Sequence, residues 1–149
     1  MSKISILIYR LVYKLYIWKI PIIPEIINKL FLRILFGCQI GTGAKLGQNV
    51  NLGYGGLGIV IHPRVVIGNS VSIGTGVTIG GTSGKFDVPK IGSNTIISTG
   101  AKVIGAVRIG TGCVIGANAV VVTDIPNNSL VVGIPARVIK QNINVSDYK

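Results

Sequence analysis

Residues 61–80, IHPRVVIGNSVSIGTGVTIG, carry an aliphatic side chain at every sixth position. The series extends in both directions and comprises Ile40, Leu46, Leu52, Ile61, Ile67, Ile73, Ile79, Ile91, Ile97, Val103, Ile109, Ile115 and Val121. A helix would space its apolar residues by three and four, and a half-buried strand by two. A sustained period of six is typical of hexapeptide β-helices. The sequence therefore predicts a mainly β fold, a parallel β-helix.

Each hexad supplies a short strand and a turn in this interpretation, and three hexads close one triangular coil. The aliphatic side chains stack inward, and a small or branched residue four positions later fills the space beside them. Glycine commonly follows the aliphatic residue, where we expect it to supply positive φ at the turn. The repeat predicts a β-helix domain over residues 38–141, followed by a short tail over 142–149.

Composition limits the choice of partners. The 149 residues carry a net charge of +11, which favours anionic partners. The two cysteines form neither a disulfide framework nor a metal-binding pattern, so we expect no metal and a reducing compartment, the cytoplasm. Because no strand combines aromatic and basic residues, we expect no nucleic acid, and a membrane surface or a phosphorylated ligand is favoured.

Residues 1–37 differ in character from the repeat, because they are mostly apolar and carry six basic side chains against one acid, Glu25. Pro21 and Pro24 divide them into two predicted helices, over about 3–19 and 24–36. Neither helix has the ~20 uninterrupted apolar residues that cross a bilayer, but basic amphipathic helices often lie in the membrane interface. We expect peripheral contact with the inner membrane face, packing on the coil or on neighbouring subunits, or both.

Two places interrupt the period of six, from Leu52 to Ile61 and from Ile79 to Ile91. Loops on a rigid scaffold commonly carry function. Three hexads per coil place Ile79 on Ile61, so we expect His62, the only histidine, to lie beside Gly80 at the root of the second loop.

The motif VTIGGT at 77–82 and the ending DIPNNSLVVGIPAR at 124–137 resemble the serine acetyltransferase-type branch of the hexapeptide acyltransferases. The resemblance covers about residues 35–141. With its short basic N-terminal segment, the chain is most similar in character to capsule, exopolysaccharide and O-antigen acetyltransferases. The resemblance implies a left-handed parallel β-helix, a homotrimer, acetyl-CoA as donor and active sites between neighbouring subunits.

The match to serine acetyltransferase is incomplete at the catalytic positions. That family has an Asp-His pair where this chain has Gly53 and Tyr54, and a second histidine where it has Val88. His62 is left as the candidate general base, since an imidazole with a pKa near ~6.5 can accept a hydroxyl proton at neutral pH. The alternative is a structural histidine at a turn, with Tyr54 or Asp87 assisting the reaction.

The resemblance also implies a donor groove of small residues along one edge of the coil. The matching positions are Gly81, Thr99 and Ala117, with Gly80 and Gly81 as candidate donors to the developing oxyanion. Arg137 and Lys140 could meet the phosphates of the nucleotide. The alternative for each is a scaffold turn or a solvated charge.

Three functions are compatible with these features. The leading prediction is an O-acetyltransferase that modifies a sugar hydroxyl of a surface polysaccharide or its lipid-linked precursor, since a membrane-binding segment suits a lipid-linked acceptor. The second is the same chemistry on serine or another small soluble acceptor. The third is a catalytically silent trimeric scaffold, which the missing histidines favour.

Overall fold

The computed structural model describes residues 2–148 and confirms the mainly β parallel β-helix with a short helical N-terminal segment. The segment consists of α1 (Ser2–Ile17) and α2 (Ile23–Ile27), which continues as a π-helical stretch (Asn28–Leu35). The strands are β1 (Gln39–Ile40), β2 (Lys45–Leu46), β3 (Asn51–Leu52), β4 (Val60–Ile61), β5 (Val66–Ile67), β6 (Ser72–Ile73), β7 (Thr78–Gly80), β8 (Lys90–Ile91), β9 (Ile96–Ile97), β10 (Lys102–Ile104), β11 (Arg108–Ile109), β12 (Val114–Ile115), β13 (Val120–Val121), β14 (Leu130–Val132) and β15 (Arg137–Lys140). Short 3₁₀ turns lie at Gly53–Gly56 and Val145–Tyr148.

Three parallel sheets form the sides of the coil. The first sheet has the order β1-β4-β7-β10-β13, the second β11-β8-β5-β2, and the third β14-β12-β9-β6-β3, with β15 added antiparallel to β14. Four coils have all three strands, and the fifth uses a single bridge between Ile109 and Ile125 in the second sheet. Ile61 pairs with Ile79, as the hexad count predicted.

Three corners join the sheets. The first corner follows the first sheet and includes residues 62–65 and the loop 81–89. The second corner follows the second sheet and includes 68–71 and 110–113. The third corner returns to the first sheet and includes 53–59, 74–77, 98–101 and 116–119.

The core is the predicted column of aliphatic residues. Ile40, Leu52, Ile79, Ile97 and Ile115 are fully buried. One hydroxyl occupies a small-residue position, where Thr95 donates its Oγ1 proton to the carbonyl of Gly110 (3.1 Å) and accepts the N–H of Cys113 (3.3 Å). The buried polar group is therefore satisfied locally.

The expectation that hexad glycines supply positive φ is wrong for the glycines directly after the aliphatic residues. Gly41 and Gly74 lie outside the left-handed region. A Cβ on Gly41 would lie 2.5 Å from the backbone of Pro63, and one on Gly74 would lie 2.5 Å from the backbone nitrogen of Thr99. These positions require glycine because successive coils approach too closely for a side chain.

The N-terminal helices pack on the first coil. The helices predicted over about 3–19 and 24–36 are found within two residues of these bounds, at 2–17 and 23–35, and the positive φ of Lys19 and Ile22 turns the chain between them. Tyr9 is buried and its hydroxyl lies 2.6 Å from the carbonyl oxygen of Ala44. Asn28 donates from Nδ2 to the carbonyl of Ile40 (2.7 Å). Within residues 2–148 we find no helix with the length and apolarity that crossing a bilayer requires.

Candidate functional site

The loop 81–89 replaces a four-residue turn at the first corner. Phe86 and Asp87 at its tip are exposed, whereas Val88 is buried, with only 7% of its surface exposed. A Cβ on Gly81 would lie 3.1 Å from a methyl group of Val88, so this glycine lets the two ends of the loop approach. The loop is therefore fixed at its root and open to solvent at its tip.

His62 lies beside the root of this loop, as the hexad count predicted. Its N–H donates to the carbonyl of Ile79 (2.9 Å), which places it next to Gly80 across neighbouring coils. The ring is half-buried, and Nδ1 accepts the backbone N–H of Arg64 (3.2 Å). In the neutral ring the proton then lies on Nε2. A base role at Nε2 therefore requires the Nδ1 hydrogen bond to open and the proton to shift.

The charge state of His62 is suited to a base. Burial, and then the positive charge of Arg64, lower the pKa of His62 below its usual value. The ring is therefore neutral at pH 7, which is the form that accepts a proton.

Arg64 also connects His62 with the loop. Its guanidinium lies 4.1 Å from the ring centroid of Phe86, within the range of a cation–π contact. The backbone N–H of the same residue binds the imidazole. Arg64 thus couples the position of the loop tip to that of the histidine.

Within residues 2–148, neither of the other two candidate catalytic residues forms a hydrogen bond or ion pair with His62. Tyr54 is 84% exposed at the third corner and has φ 48°. His62 lies at the first corner, at the other end of strand β4. Residues 58–62, which lead from one corner to the other, span roughly 13 Å if extended, and this length separates the corner of Tyr54 from His62. Asp87 lines a small cavity with Lys90 and Arg108, on the side of the loop that faces the following coil, whereas His62 belongs to the preceding one.

The predicted donor groove needs one correction. Thr99 and Ala117 are neighbours at the third corner, since Asn118 donates its N–H to the carbonyl of Thr99 (3.0 Å). Gly81 lies at the first corner instead, because Gly80 pairs with Ile104. The prediction assumed that positions 81, 99 and 117 follow one another by one regular coil each. It did not allow for the six extra residues that the loop inserts between Ile79 and Ile91.

Thr75 takes the place assigned to Gly81. Its carbonyl accepts the N–H of Gly100 (2.8 Å), so Thr75, Thr99 and Ala117 form a row along the third corner, called here the third-corner row. The sequence already held this signal, because Thr75, Thr99 and Ala117 each follow a third-sheet aliphatic residue by two positions.

The two predicted phosphate contacts differ in position. Arg137 pairs with Val132, whose side chain covers Gly116, so the exposed guanidinium group lies near the C-terminal end of the third-corner row. Lys140 pairs with Leu130 at the other end of β14, towards the second corner. Arg137 is therefore the better placed of the two.

Comparisons with known proteins agree with this architecture. Residues 89–123 match the family model described as bacterial transferase hexapeptide (six repeats). A serine acetyltransferase of Synechococcus elongatus is 40% identical over 138 residues, which cover 91% of this chain and 55% of that protein.

Solved structures extend the similarity to the three-dimensional fold. The serine acetyltransferase of Neisseria gonorrhoeae superposes with a TM-score of 0.87 at 32% identity, covering 97% of this chain and 57% of that one. The enzyme of Brucella abortus in complex with coenzyme A gives 0.87 at 32% identity, covering 92% and 55%. The chain thus spans little more than half the length of each of these proteins.

These comparisons contradict the leading functional prediction. The matched proteins are serine acetyltransferases, so the prediction of a polysaccharide O-acetyltransferase, with a glycan acceptor, is wrong. The similarity to capsule acetyltransferases is likewise not supported. The wrong prediction rested on the short basic N-terminal segment. The match to the Neisseria gonorrhoeae serine acetyltransferase covers 97% of this chain and so includes most of that segment. The helices therefore do not distinguish polysaccharide acetyltransferases from serine acetyltransferases. Over nearly its whole length, the chain is similar to hexapeptide-repeat transferases of the serine acetyltransferase type.

Proposed function

We propose that this chain is an acetyl-CoA-dependent O-acetyltransferase that acts on a small hydroxyl-bearing acceptor, with serine as the first candidate. The observation that supports this most strongly is the similarity to serine acetyltransferases over about nine-tenths of the chain. The third-corner row and the loop beside His62 add physical support, since they offer a row of small residues for the donor and a candidate base for the acceptor.

The third-corner row fits a coenzyme A arm. Thr99 and Ala117 are exposed and small, and Thr75 continues the row by one coil. An extended pantetheine chain can lie along such a row, where larger side chains would close the groove. Arg137 at the end of the row is suited to the phosphate groups of the nucleotide, because guanidinium binds phosphate in a bidentate manner.

His62 is the proposed general base. It would accept the acceptor's hydroxyl proton while the hydroxyl oxygen forms a bond to the thioester carbon. The backbone N–H of Gly81 would stabilise the oxyanion at the former carbonyl oxygen. The predicted second donor, Gly80, is not suited to this role, because it pairs with Ile104 in the sheet and its N–H is used there. The carbon–sulfur bond then breaks, and His62 returns the proton to the departing thiolate. Tyr54 and Asp87 remain candidates for orienting the acceptor.

The two halves of this proposed site lie at different corners of one chain. The base is at the first corner and the donor row at the third, with the first sheet between them. A threefold assembly would bring the first corner of one copy against the third corner of the next. We therefore include a homotrimer, with active sites between subunits, in the proposal.

A catalytically silent scaffold is the second candidate. Its specific support is that both histidine positions implied by the serine acetyltransferase resemblance are Tyr54 and Val88, and that the lone pair at Nδ1 of His62 is already engaged. A scaffold would bind coenzyme A without transferring acetyl groups.

Steady-state kinetics separate these candidates. Acetyl-CoA is incubated with and without L-serine, and release of the coenzyme A thiol is followed for wild type, His62→Ala and the control Thr111→Ala at the second corner. The protein's own thiols interfere little, because burial raises the pKa of Cys38 to about 11 and also raises that of Cys113.

We expect serine-dependent release that falls by about 10²–10⁴-fold in His62→Ala and is unchanged in Thr111→Ala. Release that His62→Ala leaves intact would refute the base assignment. Acetyl-CoA binding with no transfer to serine or to other small alcohols would favour the scaffold.

A further inference from the structure

Helix α1 has two apolar faces, and only one of them is covered. Tyr9 and Val12 on the inner face are buried against the coil. The opposite face carries an apolar row, called here the outer stripe, whose members are spaced by three, four and seven residues and are between 53% and 65% exposed: Ile4, Leu7, Leu11 and Trp18. Trp18 follows the last residue of α1 but continues its hydrogen bonding, since its N–H donates to the carbonyl of Lys14 (3.1 Å). A helix that presents apolar rows on opposite sides has a second surface to bury.

Cations border the outer stripe along one flank. Lys3, Arg10 and Lys14 are exposed, and the helix contains no acidic residue. Arg10 is held in place by a hydrogen bond from Nη2 to the carbonyl of Gly47 (3.0 Å). The ammonium of Lys14 lies 5.1 Å from the ring centroid of Trp18, so one end of the stripe pairs a cation with an aromatic ring.

The second helical stretch has the same composition. Ile23, Ile26, Leu30 and Ile34 are each at least half exposed. Lys29 and Arg33 lie among them, and the single acid of the segment, Glu25, is paired with Lys29 at 3.8 Å. The excess of cations over anions is therefore a property of the whole N-terminal segment.

The dimensions of α1 suit a helix that lies on a bilayer. Its 16 residues correspond to a length of about 24 Å. Apolar side chains with a tryptophan at one end and a basic flank are the features by which helices insert to headgroup depth.

Charge decides between the possible occupants of the outer stripe. In a symmetric pair of copies, each stripe would bring three cations and no anion to the same interface, and the two rows would repel. An anionic lipid surface supplies both the apolar layer and the opposite charge. We propose that the outer stripe of α1 binds the surface of an anionic phospholipid membrane and holds the β-helix against it.

Trp18 provides a direct probe, because it is the only tryptophan in the chain. The full-length protein is titrated with vesicles of neutral phospholipid alone and with vesicles containing about 30% anionic phospholipid. We expect a blue shift of the Trp18 emission only with anionic vesicles, quenching by lipids brominated on the acyl chain, and weakening as salt is raised.

Paired substitutions test the stripe itself. Leu7→Gln with Leu11→Gln removes two apolar contacts, whereas Ile139→Gln changes an exposed isoleucine of similar exposure on β15. We expect vesicle affinity to fall at least about tenfold in the double variant and to be unchanged in the control. Circular dichroism establishes that both variants are folded.

Three outcomes would overturn the proposal. One is equal binding to neutral and anionic vesicles, and another is equal binding by the double variant and the control. The third is loss of oligomers in the double variant, measured by sedimentation, with no vesicle binding by wild type; the stripe would then be an interface between protein chains. None of these outcomes bears on acetyl transfer, which is assayed separately.

Discussion

His62 has an accessible ring, a depressed pKa and one nitrogen already engaged by a neighbouring backbone group. The first two properties favour a base, and the third opposes it. Opening a hydrogen bond of 3.2 Å at a half-exposed position costs about 1 kcal/mol, which is small beside the benefit of a positioned base. The balance therefore favours catalysis, and the pH dependence of the rate can test it.

We expect kcat/KM to rise with pH up to the pKa of His62 and to be independent of pH above it. Because burial and Arg64 lower that pKa, the protonated, inactive form appears only at a pH below about 6.5. Arg64→Gln removes the second cause, so the acid limb of the kcat/KM profile should move to higher pH, towards the ordinary histidine value. Lys45→Gln, which removes an exposed charge on the second sheet, serves as the control. An acid limb that stays in place in Arg64→Gln, or moves equally in both variants, would contradict the assignment of His62.

At the scale of elements, the loop 81–89 is the longest segment of the first corner. At its root Val88 is buried and lies too close to Gly81 to leave room for a side chain there, while at its exposed tip Phe86 stacks on Arg64. The stacking thus connects the loop tip to the residue whose backbone N–H binds the imidazole of His62.

Substitution of Phe86 tests this coupling. Phe86→Ala removes the cation–π contact, so we expect kcat/KM for the acceptor to fall about tenfold, corresponding to roughly 1–2 kcal/mol. Phe86→Tyr retains an aromatic face and should stay near wild type. If both variants behaved alike, the stacking would have no part in positioning the loop.

A buried hydroxyl contributes to the attachment of α1 to the coil. The hydroxyl of Tyr9 lies within hydrogen-bond distance of the carbonyls of Ala44 and Gly41, and burial raises its pKa well above the usual range. Tyr9→Phe should therefore lower the free energy of unfolding by about 1–2 kcal/mol, measured by urea denaturation. Tyr16→Phe, at a ring that is 48% exposed, should have little effect. Equal losses in the two variants would show that the buried hydrogen bond contributes nothing specific.

The sequence predicted the coil well because its period is a local property. Aliphatic spacing determined the stacking of Ile79 on Ile61, and with it the place of His62 beside Gly80. The hexad count failed where the chain departs from the period of six. Because of the loop insertion, Gly81 lies at the first corner, and the count did not identify Thr75 as the member of the third-corner row. The sequence also did not predict why position 74 requires glycine. The close approach of the Thr99 backbone in the next coil cannot be inferred from the turn sequence alone.

At the scale of the whole molecule, the proposed site needs residues from two corners that one chain keeps apart. The proposed base lies at the first corner and the third-corner row lies across the first sheet. No sequence pattern within one chain reveals which copy would complete the site, since the proposed contact is between chains.

Complementation between two inactive variants tests the shared site. His62→Ala lacks the base and Ala117→Trp blocks the donor row, so each alone should be inactive. In mixed trimers one interface of three combines an intact base with an intact row, and random mixing should restore about a quarter of wild-type activity. Differently tagged chains, purified through both tags, verify that mixed oligomers form. Mixed oligomers as inactive as their parents would contradict a site between subunits.

The central claim is that the β-helix transfers an acetyl group from acetyl-CoA to the hydroxyl of serine. The most direct measurement follows the acetyl carbon itself, by ¹³C NMR of a reaction containing acetyl-CoA labelled at the carbonyl, L-serine and the full-length protein. We predict that the thioester signal is replaced by the ester signal of O-acetylserine, and that omitting serine or substituting His62→Ala leaves the label on coenzyme A. Label that remains on coenzyme A in the complete reaction, or that appears as acetate at the same rate without serine, would contradict the claim.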